Sequence, residues 1–496
     1  MANEFKHTTA GNKLTQTEFE AVGLHALNSQ AARDIIYASS TTQLSRLGAG
    51  TRGLGGGITV AANDAPAGVK ALADYVCDGT ADDVEIQAAI DALTAGRTWV
   101  ETVKCLGSFV ISNLLALPDY TRLDLTEAIL TASDALNDSI IENKAFDALT
   151  GNTHIEIIGG ILVGNSAGQT IAGTGIAFDA GDATPNTYIR VIGTRITDVY
   201  GMGFHPKGVH FGEFIVFIDN CGVFGDTLYH NAYLRRIENS TGVINTHNAI
   251  FGDGVKFTLV DNSSFKVVTD TNYAYGAYIG SGLGSQYDII ALNNGTGGTY
   301  AGIRVINEVT ETPGSLTINA ISSYNTGDNL ELVHLATSTV SGVFTNSANG
   351  SGISCAAGVD KNVFASIRAR SNALYGISFA SGANANVFVG NDVGDNTTGS
   401  VSNAGTANII RNNRGYVTEN SGTATVLNTT TSIVVNHGLA TTPTRVQITP
   451  RENPTNAVSF WWVGTLTTTQ FTINVNADPG ASNLDFDWRA VVGEGN

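Results

Sequence analysis

Five residues have the types and spacing to cooperate in proton transfer: His205, His230, Tyr233, Arg235 and Lys256. A phenol beside cations ionises below its usual pKa of ~10, so Tyr233 suits a base, with His205 as the alternative base. Arg235 suits a carboxylate clamp, because a planar guanidinium holds a carboxylate through two parallel hydrogen bonds. Lys256 suits either a proton donor or a second carboxylate partner. This set matches β-elimination of a uronate, which needs a base near C5, a cation on the carboxylate and an acid at the glycosidic oxygen. His230 lies just before the strand that carries Tyr233 and is placed to reach the same point. The plainer reading is a polar surface ladder in which His230 caps a turn.

These residues can meet only if the chain stacks them, and a repeat does so. The phrases are Gly203-Phe204-His205, Asn231-Ala232-Tyr233, Gly254-Val255-Lys256, Gly276-Ala277-Tyr278, Gly302-Ile303-Arg304 and Asn329-Leu330-Glu331. Their first residues advance by 28, 23, 22, 26 and 27 positions. Repeats of this length mean a stacked solenoid, and the alternation within each phrase means a half-buried strand. Phe204, Ala232, Val255, Ala277, Ile303 and Leu330 are expected inside. His205, Tyr233, Lys256, Tyr278, Arg304 and Glu331 are expected in one outward column with coils ~4.8 Å apart. Lys207, Arg235 and Thr258 face out two residues further on. Lys207, Tyr278, Arg304 and Glu331 are the expected substrate-binding positions, and a long polar ligand such as a polysaccharide fits such a column.

A glycoside hydrolase would instead need two carboxylates ~5–9.5 Å apart. The candidates are Glu331, Asp226, Glu238, Asp253 and Asp328. Asp253 and Asp328 hold equivalent positions, in Gly252-Asp253-Gly254 and Gly327-Asp328-Asn329, which favours a turn role for both. A glycan-binding spike without catalysis is the third reading. His247, Asn248 and Asp270 are too scattered to mark a metal site. No cofactor is implied, and there is no calcium-binding motif.

A second strand ladder accompanies the first, through His154-Ile155, Tyr188-Ile189, Phe214-Ile215, Asn362-Val363, Asn386-Val387 and Asn408-Ile409. The fixed Asn positions suit turns and a stacked amide ladder. Loops at Ser166–Gly173, Thr269–Tyr275 and Glu308–Gly314 are placed to wall a groove.

Composition excludes several classes. With 57 Gly, 9 Pro and 14% charged residues the chain is turn-rich and β-rich rather than disordered. A net charge of −18 argues against a nucleic-acid partner, which needs clustered Lys and Arg. Cys77, Cys105, Cys221 and Cys355 fit no zinc spacing and read as buried free thiols. No apolar run approaches the ~20 residues of a membrane span. Residues Met1–Ala10 lack an apolar core, so no signal peptide is expected.

The 496 residues divide into three parts. Residues 1–57 read as a head and linker, with a helix from Thr17 to about Asn28 and a Gly-rich run from Gly48 to Gly57. Residues 58–415 read as the solenoid. It opens with Cys77-Asp78-Gly79-Thr80-Ala81-Asp82-Asp83 and an amphipathic helix through Leu93, with Asp82 as N-cap and Glu85 at N3. Such a helix would cover the open end of the core. Residues 416–496 alternate over several short strands and read as a small β-sandwich. There Trp461, Trp462 and Trp488 suit core or trimer-interface positions, with stacking on sugar as the alternative, and His437 sits in a turn.

The stretch from Ile58 to Asp124, with its Asp82-Asp83 helix start, resembles the pectate-lyase-like superfamily of right-handed parallel β-helices, which includes phage tailspikes. The segment from Asp34 to Gly48 resembles one near the start of phage tail-fibre proteins. His437-Gly438-Leu439-Ala440-Thr441-Thr442-Pro443 is similar to their C-terminal modules. The resemblance implies a homotrimer on a virion tail, outside the cell after lysis, acting on an acidic polysaccharide.

Overall fold

The computed structural model describes residues 57–493 apart from 147, 149, 182, 226–228, 310–311 and 455–456, and also the backbone of three strands near the start. Those strands, Glu4–Phe5, Ile35–Ser40 and Gln43–Leu47, pair into an antiparallel sheet. The helix expected over Thr17–Asn28 lies outside the described residues, as does most of the Gly-rich run.

From Ile58 the chain winds into a parallel β-solenoid of about 13 turns. Two long sheets run its length, one of 16 strands and one of 13. Each coil contributes one strand to each sheet. Thus Phe204–His210 is followed by Glu213–Asp219, Ala232–Glu238 by Thr241–His247, and Val255–Asp261 by Ser264–Asp270. The corners between these paired strands use left-handed residues such as Phe211, Asn239 and Asn262. Asn adopts that conformation at little cost, which explains its recurrence at corners.

The inward set is as the alternation requires. Phe204, Ala232, Val255, Ala277, Ile303 and Leu330 are all 0% exposed. They face Phe214, Val216, Phe265, Val267 and Ile318 from the other sheet. The four cysteines are buried free thiols.

Polar groups also line the interior, as amide chains. Asn231 Nδ2 reaches Asn272 Oδ1 at 3.5 Å. The chain continues through Asn294 (2.8 Å), Asn325 (3.1 Å), Asn329 (2.9 Å), Asn372 (2.9 Å) and Asn396 (2.9 Å). A second ladder joins Asn362, Asn386 and Asn408 at 3.1 and 3.2 Å, at the positions the spacing picked out. Each amide both donates and accepts, so one residue type repeated coil after coil satisfies buried backbone groups that would otherwise be orphaned.

The capping helix spans Asp83–Asp91 and buries Ile86, Ala89 and Ile90. Asp82 stands at its N-cap, but its carboxylate makes no capping bond. It accepts the Gly79 and Val110 N–H groups instead, each at 2.8 Å, and Asp83 accepts Ser112 N–H at 2.7 Å. The expected helix cap is therefore a tie to the first long strand, where edge N–H groups lack strand partners. Cys77, Asp82 and Glu85 lie close enough to hold a cation, yet both Asp82 oxygens serve that tie.

Residues Glu419–Val426, Arg445–Pro450 and Leu484–Val491 form one antiparallel sheet, and Ser432–Asn436, Trp461–Leu466 and Gln470–Val475 another. They share a core of Val426, Phe471, Ile473, Phe486 and Trp488. Trp462 is exposed and stacks on Phe460. His437 is fully buried; its Nδ1 accepts Leu439 N–H at 3.0 Å and its Nε2 lies 3.2 Å from Thr467 O, a structural role.

Asn372 tests the amide chain. Asn372→Ala leaves Ser347 N–H and Phe344 C=O without their side-chain partner. It should cost roughly 3 kcal/mol, read as a lowered thermal midpoint. Asn319→Ala, on the exposed face, should stay within about 0.5 kcal/mol.

Candidate functional site

The outward column forms on the 13-stranded sheet in the expected register. Tyr233 pairs with Lys256, Lys256 with Tyr278, Tyr278 with Arg304, and Arg304 with Glu331. Lys207 pairs with Arg235, and Arg235 with Thr258. His205 stacks on Tyr233, with ring centroids 5.1 Å apart and planes 10° apart.

His230 joins this group from the turn before the Tyr233 strand. Its ring meets Tyr233 edge-on at 5.6 Å. It is buried beside Asp253, which lies one coil on: Asp253 N–H donates to His230 Nδ1 at 3.2 Å, and Asp253 Oδ2 is 3.2 Å from the same atom. Lys256 Nζ lies between two rings, 5.3 Å from the Tyr233 centroid and 4.7 Å from that of Tyr278.

Titration follows burial. Desolvation pushes His205 down to about 4 and His230 to about 3, with nearby cations adding to both shifts. Both imidazoles are therefore neutral over the ordinary pH range and resist taking a proton. Desolvation raises Asp253 to about 7, opposed by the Tyr275 N–H it accepts at 3.1 Å. Asp328 rises to about 6 for the same main reason, opposed by the Ser351 N–H it accepts.

Both aspartates thus brace the next coil, the equivalent turn role that their spacing implied. Asp253 has an additional part, since it also faces His230. Burial raises Glu331 too, while Arg304 opposes the shift. Asp226, the remaining turn candidate, lies outside the described residues.

The cations differ in what they hold. Lys207 pairs with Asp179 at 2.8 Å. Lys256 pairs with Glu308, whose other oxygen accepts the Thr258 hydroxyl at 2.7 Å. Arg304 lies 3.6 Å from Glu331, bonds the Tyr275 hydroxyl and sits over that ring. Arg235 alone of these four has no carboxylate partner among the described residues, and its buried Nε lacks any hydrogen bond. His205 Nε2 is likewise buried without a partner. A half-buried guanidinium without a counterion is costly unless a ligand supplies one.

Lys256, expected as a proton donor or a partner for the substrate's carboxylate, is paired with a loop carboxylate. Glu308 and Tyr275 were not among the expected site residues. Tyr275 had a readable signal, because it stands just before a repeat Gly, as Asp253 stands before Gly254, while Asp328 and His230 stand before the equivalent Asn329 and Asn231. Glu308 opens the loop 308–314 expected to wall a groove, but its pairing with Lys256 across 52 residues left no local signal.

Two open grooves of about 480 and 520 Å³ lie on the other long sheet, floored by Phe217, Val268, Ile290 and Ile321.

No family model and no curated protein sequence matches the chain. Solved structures do. The A-module of Azotobacter vinelandii mannuronan C-5 epimerase AlgE4 matches with a TM-score of 0.54 and 15% identity over 67% of this chain and 94% of the module. The AlgE6 A-module from the same organism matches with a TM-score of 0.50 and 13% identity over 68% and 96%. The chain thus has the fold of a right-handed parallel β-helix. A tailspike of Escherichia coli bacteriophage HK620 also overlaps the β-helix, at a TM-score of 0.42 and 11% identity over 83% and 90%. At these identities the likeness establishes fold alone.

Asp253 gives a signed pH test. Its folded pKa of about 7 exceeds the ordinary 3.8, so the folded state holds that proton more tightly than the unfolded chain. That stabilisation is complete below about pH 4 and is lost as pH rises through 7. Asp253→Asn should therefore gain stability relative to the native protein as pH climbs from 4 to 8. Thermal midpoints measured across that range check this, and a constant difference would contradict it.

Proposed function

We propose that this β-helix acts on an acidic, uronate-containing polysaccharide and cleaves it by β-elimination. The carrying observation is Arg235, a half-buried guanidinium without a carboxylate, beside the His205–Tyr233 stack. A sugar carboxylate would supply the missing counterion through a charge-assisted pair. Neutralising that carboxylate makes the proton on C5 more acidic.

Tyr233, as the phenolate, takes that proton, with the Lys256 ammonium 5.3 Å from its ring. The electron pair from the C5–H bond forms the C4–C5 double bond. The C4–O bond breaks, and Lys256 or the newly protonated Tyr233 gives a proton to the leaving oxygen. One C–H and one C–O bond are lost, and one double bond and one O–H bond are gained.

The same carbanion, protonated from the opposite face, would give a C5 epimer. This second reading is favoured by the two imidazoles at Tyr233, His205 stacked on its ring and His230 meeting it edge-on, and it is the reaction named for the mannuronan C-5 epimerase modules. Hydrolysis ranks below both. Its best pair, Asp328 and Glu331, is committed elsewhere: Asp328 to Ser351 N–H and Glu331 to Arg304.

We also propose a homotrimer on a phage tail. Val268, Ile290 and Ile321 are exposed on consecutive strands in one register column of the 16-stranded sheet, with Phe217 beyond Asn245, an uncharged stripe on a strongly acidic chain. Contiguous exposed apolar surface of this kind fits a contact between copies. The double variant Ile290→Asp with Ile321→Asp should sediment as a monomer where the native chain sediments as a trimer; a monomeric native chain refutes this.

Polymannuronate, polyguluronate, polygalacturonate and hyaluronan form the substrate panel. New near-ultraviolet absorbance marks elimination, and changed C5 proton resonances without chain cleavage mark epimerisation. New reducing ends without absorbance mark hydrolysis, and binding alone marks a receptor. Tyr233→Phe should lower kcat at least about 100-fold. Arg235→Gln should lower kcat/KM by about 10- to 100-fold. Turnover untouched by either variant would overturn the assignment.

A further inference from the structure

Glu308 reaches into the site from a distance. It follows the Ile303–Ile306 strand, yet its carboxylate bonds Lys256 and Thr258, two coils back. To do so its side chain crosses the intervening coil over Gly280. A methyl group at Gly280 would sit 2.6 Å from Glu308 Oε2 and 3.0 Å from Glu308 Cβ. The crossing therefore depends on a residue without a side chain. Ser281 Oγ accepts the backbone N–H of Glu308 at 3.3 Å and holds the start of the loop.

The carboxylate thus arrives on the outward face beside Arg235, which pairs in register with Thr258. Lys256 is only 13% exposed, so the pair it makes is partly desolvated. A uronate bound at Arg235 would present the same chemical group to the same cation. Resting on the reading that the site takes a uronate, we propose that Glu308 is a resident carboxylate that competes with the substrate's carboxylate for Lys256.

Substrate binding then exchanges one ion pair for another. This discriminates against neutral sugars, which can neither displace Glu308 nor satisfy Lys256, and it keeps the ammonium from being left uncompensated when the site is empty. The exchange also lowers affinity for the correct ligand, because the internal pair must first break.

Two variants test the exchange by different routes. Glu308→Gln removes the competing charge. Gly280→Ala leaves the charge but displaces the flexible side chain; the backbone at Gly280 is not left-handed, so alanine is tolerated there. The probe is the tetramer of whichever uronate binds best in the panel, measured by titration calorimetry, with maltotetraose as the neutral control.

Both variants should bind the uronate about three- to tenfold more tightly. Maltotetraose binding should not change. Equal or weaker uronate binding by both variants overturns the competition and makes Glu308 a structural brace or a substrate contact. If neither the native protein nor either variant binds any uronate at millimolar concentration, the functional reading itself fails, and the competition fails with it.

Discussion

Everything at the site depends on the spacing of stacked parallel strands, held by buried amides. Strands ~4.8 Å apart put side chains of adjacent coils in contact, and only if neighbouring coils keep one register. The chain from Asn231 to Asn396 enforces that register from inside. An amide bonded above and below cannot slip by a residue without leaving both neighbours unsatisfied, at a cost of about 1–3 kcal/mol for each buried group. Asn231 belongs to that chain and stands between His230 and the strand of Tyr233. The interior network therefore positions the exterior chemistry.

Two neighbouring columns make up the site, and they do different work. The strand column carries His205, Tyr233, Lys256, Tyr278, Arg304 and Glu331 as a polar and aromatic strip. The turn column beside it carries His230, Asp253, Tyr275 and Asp328. His230 and Asp253 are buried there, and His230, Asp253 and Asp328 brace the next coil. Low pKa values for both histidines and high ones for the aspartates share one cause, loss of water. A neutral imidazole and a neutral carboxyl cost less to bury than their ions. Below about pH 6 the site is thus uncharged in its depth, while on its face Arg235 has no carboxylate partner among the described residues, an arrangement suited to an anionic ligand.

Much of this was legible from residue order. The alternation around Gly203-Phe204-His205 and its successors placed Phe204, Val255 and Ile303 inside and Tyr233 and Lys256 outside, because a strand has a side-chain period of two. The Asn362–Asn386–Asn408 ladder was readable from its spacing. The longer chain through Asn272, Asn294 and Asn325 was not, since those residues lie in turns of varying length. Asp82 shows the limit of local rules: it stands where a cap belongs, but a nearby strand edge offered its oxygens unpaired N–H groups.

Sequence by itself determined the β-helix, the phase of its coils and the membership of the outward column, because periodicity is a local property that every repeat restates. Tertiary structure decided which charges remain unpaired. Whether Lys256 or Arg235 lacks a counterion depends on where one loop carries Glu308, and whether Asp253 titrates as an ordinary carboxylate depends on how much water its turn excludes. Both are set by contacts between columns and across coils, and the repeat carries no record of them.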